Sequence, residues 1–373
     1  MKPTTKFIIL FTLAIFHAAA LRAEHVVNPK ASLIDVRARQ AELRNNQDFR
    51  VSMAVNAQPM CSVKRLVAAP PSPMVIKPYY LSGSSGPTDP EAIAQMNVYN
   101  DFEKRITAGM NRYVALGDEG EAQCAQRQID EFAKGGALLS FSFKVYPQTL
   151  YQVEWTLSSA AITESVLMND RNLDQAMVKR DIAWMNQVAQ KMIQGDKEYG
   201  VLNNHHYWTG LAAVAVGVVS SDDSLFTWGV NVFRSAVNQL NSAGAFPLEM
   251  SRSELAIHYD GFALQALIPL AEFAERQGVN LYAYRSPTGK SISDAMNFFA
   301  SAVADPSVVN SFQSAPQKLD PDNSDFFSFA EFYARRFGSQ MPSSMRRMLR
   351  RPNYSSRIGG STTVLAAPLV TPR

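Results

Sequence analysis

The chain has 373 residues, enough for one large domain or two ordinary ones. Hydrophobic residues at 46%, aromatic at 10% and charged at 18% supply a sizeable core and exclude general disorder. Of the 36 basic residues, Lys2, Lys6 and Arg22 precede position 24 and no acidic residue does, so the remainder carries 33 of each sign. That balance argues against a nucleic-acid partner, which needs an excess of phosphate-neutralising charge.

Lys2 and Lys6 are followed by an apolar run from Phe7 to Leu21 and then by Arg22-Ala23. A basic start, a short apolar core and a small-residue exit predict a secretory signal peptide over 1–23. A membrane span needs about 20 apolar residues, and this run is shorter and holds His17. Cleavage is expected after Ala23, with Ala18-Ala19-Ala20 as the competing exit, leaving residues 24–373 as one exported domain with no membrane contact. In an oxidising compartment the only two cysteines, Cys61 and Cys124, are expected to pair; two unpaired buried thiols are the alternative.

Residues 24–60 read as polar and irregular, with a helix around 35–45. Residues 64–90 hold Ala-Ala-Pro-Pro-Ser-Pro and Ser-Gly-Ser-Ser-Gly-Pro, a loop long enough for a functional lid. Asp89-Pro90-Glu91 starts a helix with cap before proline, and Ile93, Met96, Tyr99, Phe102, Ile106, Met110 and Val114 continue it at 3–4 spacing. Amphipathic stretches follow at about 121–140, 146–169, 174–197, 205–219, 223–241, 250–276, 290–303 and 324–337. The pattern predicts an all-α chain of stacked helix pairs without a fixed repeat. The stretch from Thr209 to Val219 is apolar or small on every face and is therefore expected to be buried all round.

Polar chemistry gathers where that stretch begins, at Asn203-Asn204-His205-His206-Tyr207-Trp208. A capping asparagine and two ordinary histidines are the plain account; a polar cluster at a buried helix start, where anions are favoured, is the other. A metal site does not fit, because neighbouring histidines diverge around a helix and no His-x-x-x-His spacing exists. A second cluster runs from Ser251 to Tyr259, with Arg252, Ala256 and Tyr259 spaced for one helix face; a third is Gln148, Tyr151 and Trp155, also on one face. The run Arg346-Arg347-Met348-Leu349-Arg350-Arg351 reads as a solvated face or a receiver of polyanions.

Asn-Asn-His-x-Tyr-Trp at 203–208 with Arg252 and Tyr259 resembles the alginate lyases of polysaccharide lyase family five. So do the paired cysteines, the Tyr-bearing Ser/Gly loop and the ending Arg351-Pro352 … Arg357-Ile358-Gly359-Gly360-Ser361-Thr362-Thr363. The resemblance covers roughly residues 60–365 and implies an incomplete (α/α) toroid. It implies β-elimination of β-D-mannuronate-rich alginate in the bacterial periplasm, without metal or cofactor, beside an alginate export apparatus. Asn204, His205 and Arg252 would neutralise the uronate carboxylate, and Tyr259 would be base and then acid, with His205 as the alternative base. Tyr80 would be the lid tyrosine, and Gln148, Tyr151, Trp155, Trp208, His258 and Arg357 would bind sugar. His206 replaces a small serine of the family, and the loop lacks a basic residue expected there, so His206 is expected to tune uronate preference. Competing readings are a lyase of another polyuronate such as polyglucuronate, and a non-catalytic polyuronate-binding protein.

Overall fold

A computed structural model describes residues 24–368 save Ser84; the leader and both candidate cleavage sites lie outside the described residues. Thirteen α-helices and no β-strand occur among the described residues. They are α1 (Val36–Arg44), α2 (Phe49–Asn56), α3 (Pro90–Leu116), α4 (Glu119–Lys134), α5 (Gln148–Leu167), α6 (Gln175–Tyr199) and α7 (Asn204–Ser220). Then come α8 (Asp223–Asn238), α9 (Pro247–Met250), α10 (Ala256–Arg276), α11 (Ile292–Ala304), α12 (Ala330–Phe337) and α13 (Thr362–Ala366).

Short connections fold these helices back on themselves. Two residues join α3 to α4 and two join α7 to α8, lengths that force antiparallel neighbours. The starts are set by side chains: Asp89, Asp118, Asp174 and Asp222 each accept hydrogen bonds from the first turn of α3, α4, α6 and α8. Helices α3, α5, α7 and α10 pack side by side as an inner row, with α4, α6, α8 and α11 behind them. Each inner helix is one hairpin on from the last, so their N-termini share one end of the molecule.

Burial all round is commoner than the sequence pattern predicts. Helix α7 is buried from Thr209 to Val219, as its apolar faces predict, and also over its polar start from Asn204; α5 is buried everywhere except Tyr151. The polar residues of α5 conceal this, because they answer one another inside: Glu103 of α3 accepts from Gln152 Nε2 at 3.0 Å, Thr156 Oγ1 at 2.8 Å and Ser356 Oγ at 2.9 Å. Close approach of α7 and α8 depends on glycine. A Cβ at Gly229 would lie 2.5 Å from Gly210 O, well inside van der Waals contact.

The C-terminal segment closes the row against α3. Asn111 Nδ2 donates to Gly359 O at 2.8 Å, and its Oδ1 accepts from Ser361 N at 2.5 Å. Gly360 sits at φ +83°, where a side chain would also strike Asn111 and Thr107. Arg39, wholly buried on α1, donates to the carbonyls of Thr363, Val364 and Ala367 at the end of the short α13; Thr363 O also accepts from Ala367 N. Cys61 and Cys124 form a disulfide that ties the segment after α2 to α4.

Four local expectations are corrected. Residues 49–56 form a helix, started by the Asp48 cap that accepts from Val51 N. The stretch at 121–140 ends at Lys134, and that at 324–337 becomes α-helix only from Ala330. The stretch at 250–276 is broken, because Ser253 takes φ +50° and α10 begins at Ala256. Arg252 therefore stands on a turn ahead of the helix and does not share a helix face with Ala256 and Tyr259.

Candidate active site

The shared end of the inner helices collects the chemistry. At the start of α7 Asn203 Oδ1 accepts from His205 N at 3.0 Å, capping the helix. Asn204 gives its backbone N–H to Glu249 Oε1 at 2.7 Å and its side-chain Nδ2 to Glu249 Oε2 at 2.9 Å. Burial pushes the Glu249 carboxyl up to about 7, against the two Asn204 hydrogen bonds that lower it. Asn204 Oδ1 keeps no partner among the described residues.

His205 is held from behind and from one face. Its Nδ1 is 2.6 Å from Glu154 Oε1, and Thr209 Oγ1 donates to Glu154 Oε2 at 3.0 Å. The Tyr151 ring stacks on the imidazole with centroids 3.2 Å apart and planes 8° apart, and Tyr151 Oη is 2.5 Å from Tyr199 Oη. Burial, then the positive charges of Arg252 and Arg357, hold His205 well below the usual histidine range. Burial raises Glu154 well above the usual carboxylate range.

Across from His205, the Arg252 guanidinium lies 4.0 Å from the centre of the Tyr259 ring. Its buried Nε has no hydrogen-bond partner among the described residues. Tyr80 meets the Tyr259 phenol, and burial followed by that neighbour pushes the Tyr80 hydroxyl up. The 64–90 segment that carries Tyr80 is pinned where Met74 N donates to Ser140 O and Ile76 N to Thr149 Oγ1; its tip turns back where Tyr80 bridges Thr88. Arg357 completes the rim, 3.3 Å from Asp325 and with its guanidinium 4.7 Å from the Trp155 ring. His258 lies between Phe262 and Phe326, nearly parallel to both rings, and burial holds it below the usual histidine range.

A sequence model of the alginate lyase family matches residues 60–309, two thirds of the chain. The chain belongs to the alginate lyase family. Among curated relatives, a polysaccharide lyase of Stenotrophomonas maltophilia is 29% identical over 77% of this chain and 86% of its own. An alginate lyase of Pseudomonas syringae is 25% identical over 72% and 71%. Among solved structures, alginate lyase A1-III of Sphingomonas species A1 superposes with a TM-score of 0.85 at 35% identity, covering 92% of this chain and 97% of that one. Two of its variants, a histidine-to-alanine and a tyrosine-to-phenylalanine, are complexed with tetrasaccharide and superpose equally well. The (α/α) toroid implied by the motifs is the observed fold.

Not every residue that the family resemblance singled out reaches the cleft. His205, Arg252 and Tyr259 come together, with Tyr80, Tyr151, Trp155, His258 and Arg357 around them, while Asn204 stands behind, wholly buried with its amide on Glu249. Trp208 does not: it is wholly buried, packed 5.1 Å from Phe262, one turn deeper along α7 than His205, and has no surface for a sugar. Gln148 is nearly closed off, its amide turned to Met96 Sδ at 3.9 Å. His206 is also buried, its Nδ1 2.8 Å from Asp196 Oδ2 and its ring edge-on to Trp228 of α8, facing away from His205. The basic run lies on a turn at Ser343–Leu349 anchored by buried Met345 and Met348, with Arg346, Arg347 and Arg350 exposed as a solvated face.

Sequence reading missed Glu154, Glu249, Tyr199 and Asp325. For Glu154 a signal existed: Glu154 and Glu164 are the only charges in α5. A carboxylate alone in a buried helix needs a partner.

Proposed function

We propose that the protein cleaves β-D-mannuronate-rich alginate by β-elimination, giving oligosaccharides with 4-deoxy-hex-4-enuronosyl non-reducing ends. The observation that carries this reading is that His205, at the start of α7, lies within the field of Arg252, whose guanidinium stands over the Tyr259 ring. Elimination removes the C5 proton of a uronate and expels the oxygen on C4. The C5 proton is weakly acidic while the neighbouring carboxylate is charged, so the site must first neutralise that carboxylate. Arg252, free of a hydrogen-bond partner at its Nε, supplies the charge. The Tyr259 oxygen, entering this step as the phenolate, takes the C5 proton, the C5–H electrons pass into the ring as the C4–C5 double bond, and the C4–O pair leaves. In mannuronate the proton and the leaving oxygen lie on one side of the ring, so the same phenol returns the proton to that oxygen. Tyr80 over Tyr259, and Arg357 over Trp155, would close the bound sugar from either side.

The relatives support this assignment. The histidine and tyrosine exchanged in the two A1-III variants complexed with tetrasaccharide stand as far apart in that chain as His205 and Tyr259 do here. The paired cysteines and basic leader support export to the periplasm, which N-terminal sequencing of the mature protein tests through a start at Glu24. Absorbance near 235 nm, from the new double bond, on mixing with polymannuronate, polyguluronate and polyglucuronate tests the reaction and its preference. Polymannuronate is expected to react fastest; no rise on any of the three removes the lyase reading.

A further inference from the structure

Two roles remain open for His205, and they need opposite proton arrangements. A donor to the substrate carboxylate needs an N–H on the ring nitrogen that faces the cleft. A base needs a bare lone pair there. Nδ1 is committed to Glu154 at 2.6 Å, so the nitrogen left to the cleft is Nε2, on a side chain that keeps 9% of its surface exposed. Which role it plays is therefore decided at the other end of the ring, by whichever of Glu154 and Nδ1 owns the proton between them.

We propose that Glu154 owns this proton and donates it to Nδ1, so that His205 meets the substrate carboxylate as an Nε2–H donor and leaves proton abstraction to Tyr259. The surroundings carry this assignment. Glu154 is wholly buried on α5 and receives one other hydrogen bond, from Thr209. An ionised carboxylate there would be desolvated with only the Nδ1–H and one hydroxyl to answer it, and the Asp196 carboxyl on α6 adds like charge. An imidazolium is opposed from the cleft side by Arg252, ahead of α10, and by Arg357. Tyr151, whose ring covers His205, shares a hydrogen bond with the Tyr199 hydroxyl and offers the pair no counter-charge. Burial thus drives both members neutral. A neutral pair in this contact has one hydrogen between oxygen and Nδ1, supplied by the acid, and the imidazole's own hydrogen sits on Nε2. Glu154 is a positioning residue, since it is wholly buried with its two oxygens held by His205 and Thr209.

The proposal rests on the lyase reading for its consequence, but the proton can be found without substrate. Long-range ¹⁵N spectra of the free enzyme at pH 7, with His205 assigned by the signals lost in His205→Gln, are expected to show pyrrole-type Nε2 and pyridine-type Nδ1. Pyrrole-type Nδ1, or two protonated nitrogens, overturns the proposal. Kinetics give a second reading. In Glu154→Gln the Thr209 hydroxyl pairs with the amide oxygen, turning the NH₂ to Nδ1 as the acid's O–H was. Glu154→Ala is expected to lower kcat on polymannuronate by about 10²-fold, the scale of a lost transition-state donor, and Glu154→Gln to restore it to within about tenfold of wild type. If Gln is as slow as Ala, a negative charge is needed and the proposal fails. Should Ala not fold, as thermal melting would show, the Gln rate against wild type and its own spectrum decide. Loss of the lyase reading would appear instead as an inactive wild type, with the spectrum still interpretable.

Discussion

Glu154 and Glu164 occupy the same helix, α5, and both are wholly buried. Glu154 stands toward the end where the inner helices begin, with a histidine on one oxygen and a threonine on the other. Glu164 stands toward the opposite end, where neither of its oxygens has a hydrogen-bond partner among the described residues. Another acid, Asp181 of α6, feels its charge: the Asp181 carboxyl is raised first by burial and then by Glu164 and Asp130. The same residue type on the same buried helix is thus oriented at one end and merely tolerated at the other. Polar groups near the helix starts are organised at the expense of their own solvation, as a binding site for an anion requires; those farther along tax stability and touch no cleft residue. Rate and stability should therefore separate along the length of the toroid.

Tyr259→Phe is the severest test of the reactive end. The ring still packs beneath Arg252 while the hydroxyl is gone, so kcat on polymannuronate should fall by about 10²–10⁴, as for loss of a general acid–base group. Tm should stay within about 2 °C of wild type, and polymer binding by calorimetry should persist. A variant keeping a tenth of the wild-type rate would move the base elsewhere, His205 first.

The disulfide lies outside the reactive end altogether. Exchanging Cys61 and Cys124 for alanine opens a closed loop with a sequence separation of 63, which costs about 4 kcal/mol on the chain-entropy account. Denaturant unfolding should register that loss while kcat at 25 °C changes by less than about twofold. A matching collapse of kcat would mean that the site depends on α4 more directly than its place in the outer layer indicates.

Legibility of the sequence follows the same division. Helix existence was readable because a 3.6-residue period repeats over whole elements, and the all-round apolar α7 announced its own burial. The catalytic candidates were readable because Asn204 and His205 adjoin in sequence at a helix start. Glu154 was readable only as a charge in need of a partner, because that partner lies 51 positions away. Adjacency also misled: Trp208 shares a motif with His205 yet sits a turn deeper, where Phe262 covers it. Arg252 reached the predicted neighbour by another route, through the turn at Ser253.

At the tolerated end the sign of the pH effect is opposite to that of a salt-bridged acid. Burial pushes Glu164 up to about 8 and Asp181 up to about 9, above their unfolded values. Between pH 4 and pH 9 the unfolded chain gives up protons that the folded chain retains, so stability declines as pH rises, levelling off above both folded values. Glu164→Gln with Asp181→Asn removes their share of the decline, leaving that of the other buried acids such as Glu249. Tm should rise by at least about 2 °C at pH 8, by less at pH 5, with lyase rate within about twofold. A wild-type Tm that is flat from pH 5 to pH 9 would refute the unpaired burial.

His206 gives the smallest expected change and locates the boundary between the two regimes. It follows His205 in the chain, so sequence reading makes it a neighbour of the substrate and a tuner of preference. Its imidazole instead turns outward to Asp196 and Trp228, between α7 and the outer layer. His206→Ser should leave the ratio of kcat/KM on polymannuronate to that on polyglucuronate within about twofold. Its cost should fall on stability, because Asp196 is buried and loses its partner, an effect of about 1–3 kcal/mol. His206→Gln, which can still donate to Asp196, should recover most of that loss. A change in substrate ratio without a change in Tm would put His206 back in the cleft, and the organised end of the toroid would then extend one residue farther around α7 than its hydrogen bonds indicate.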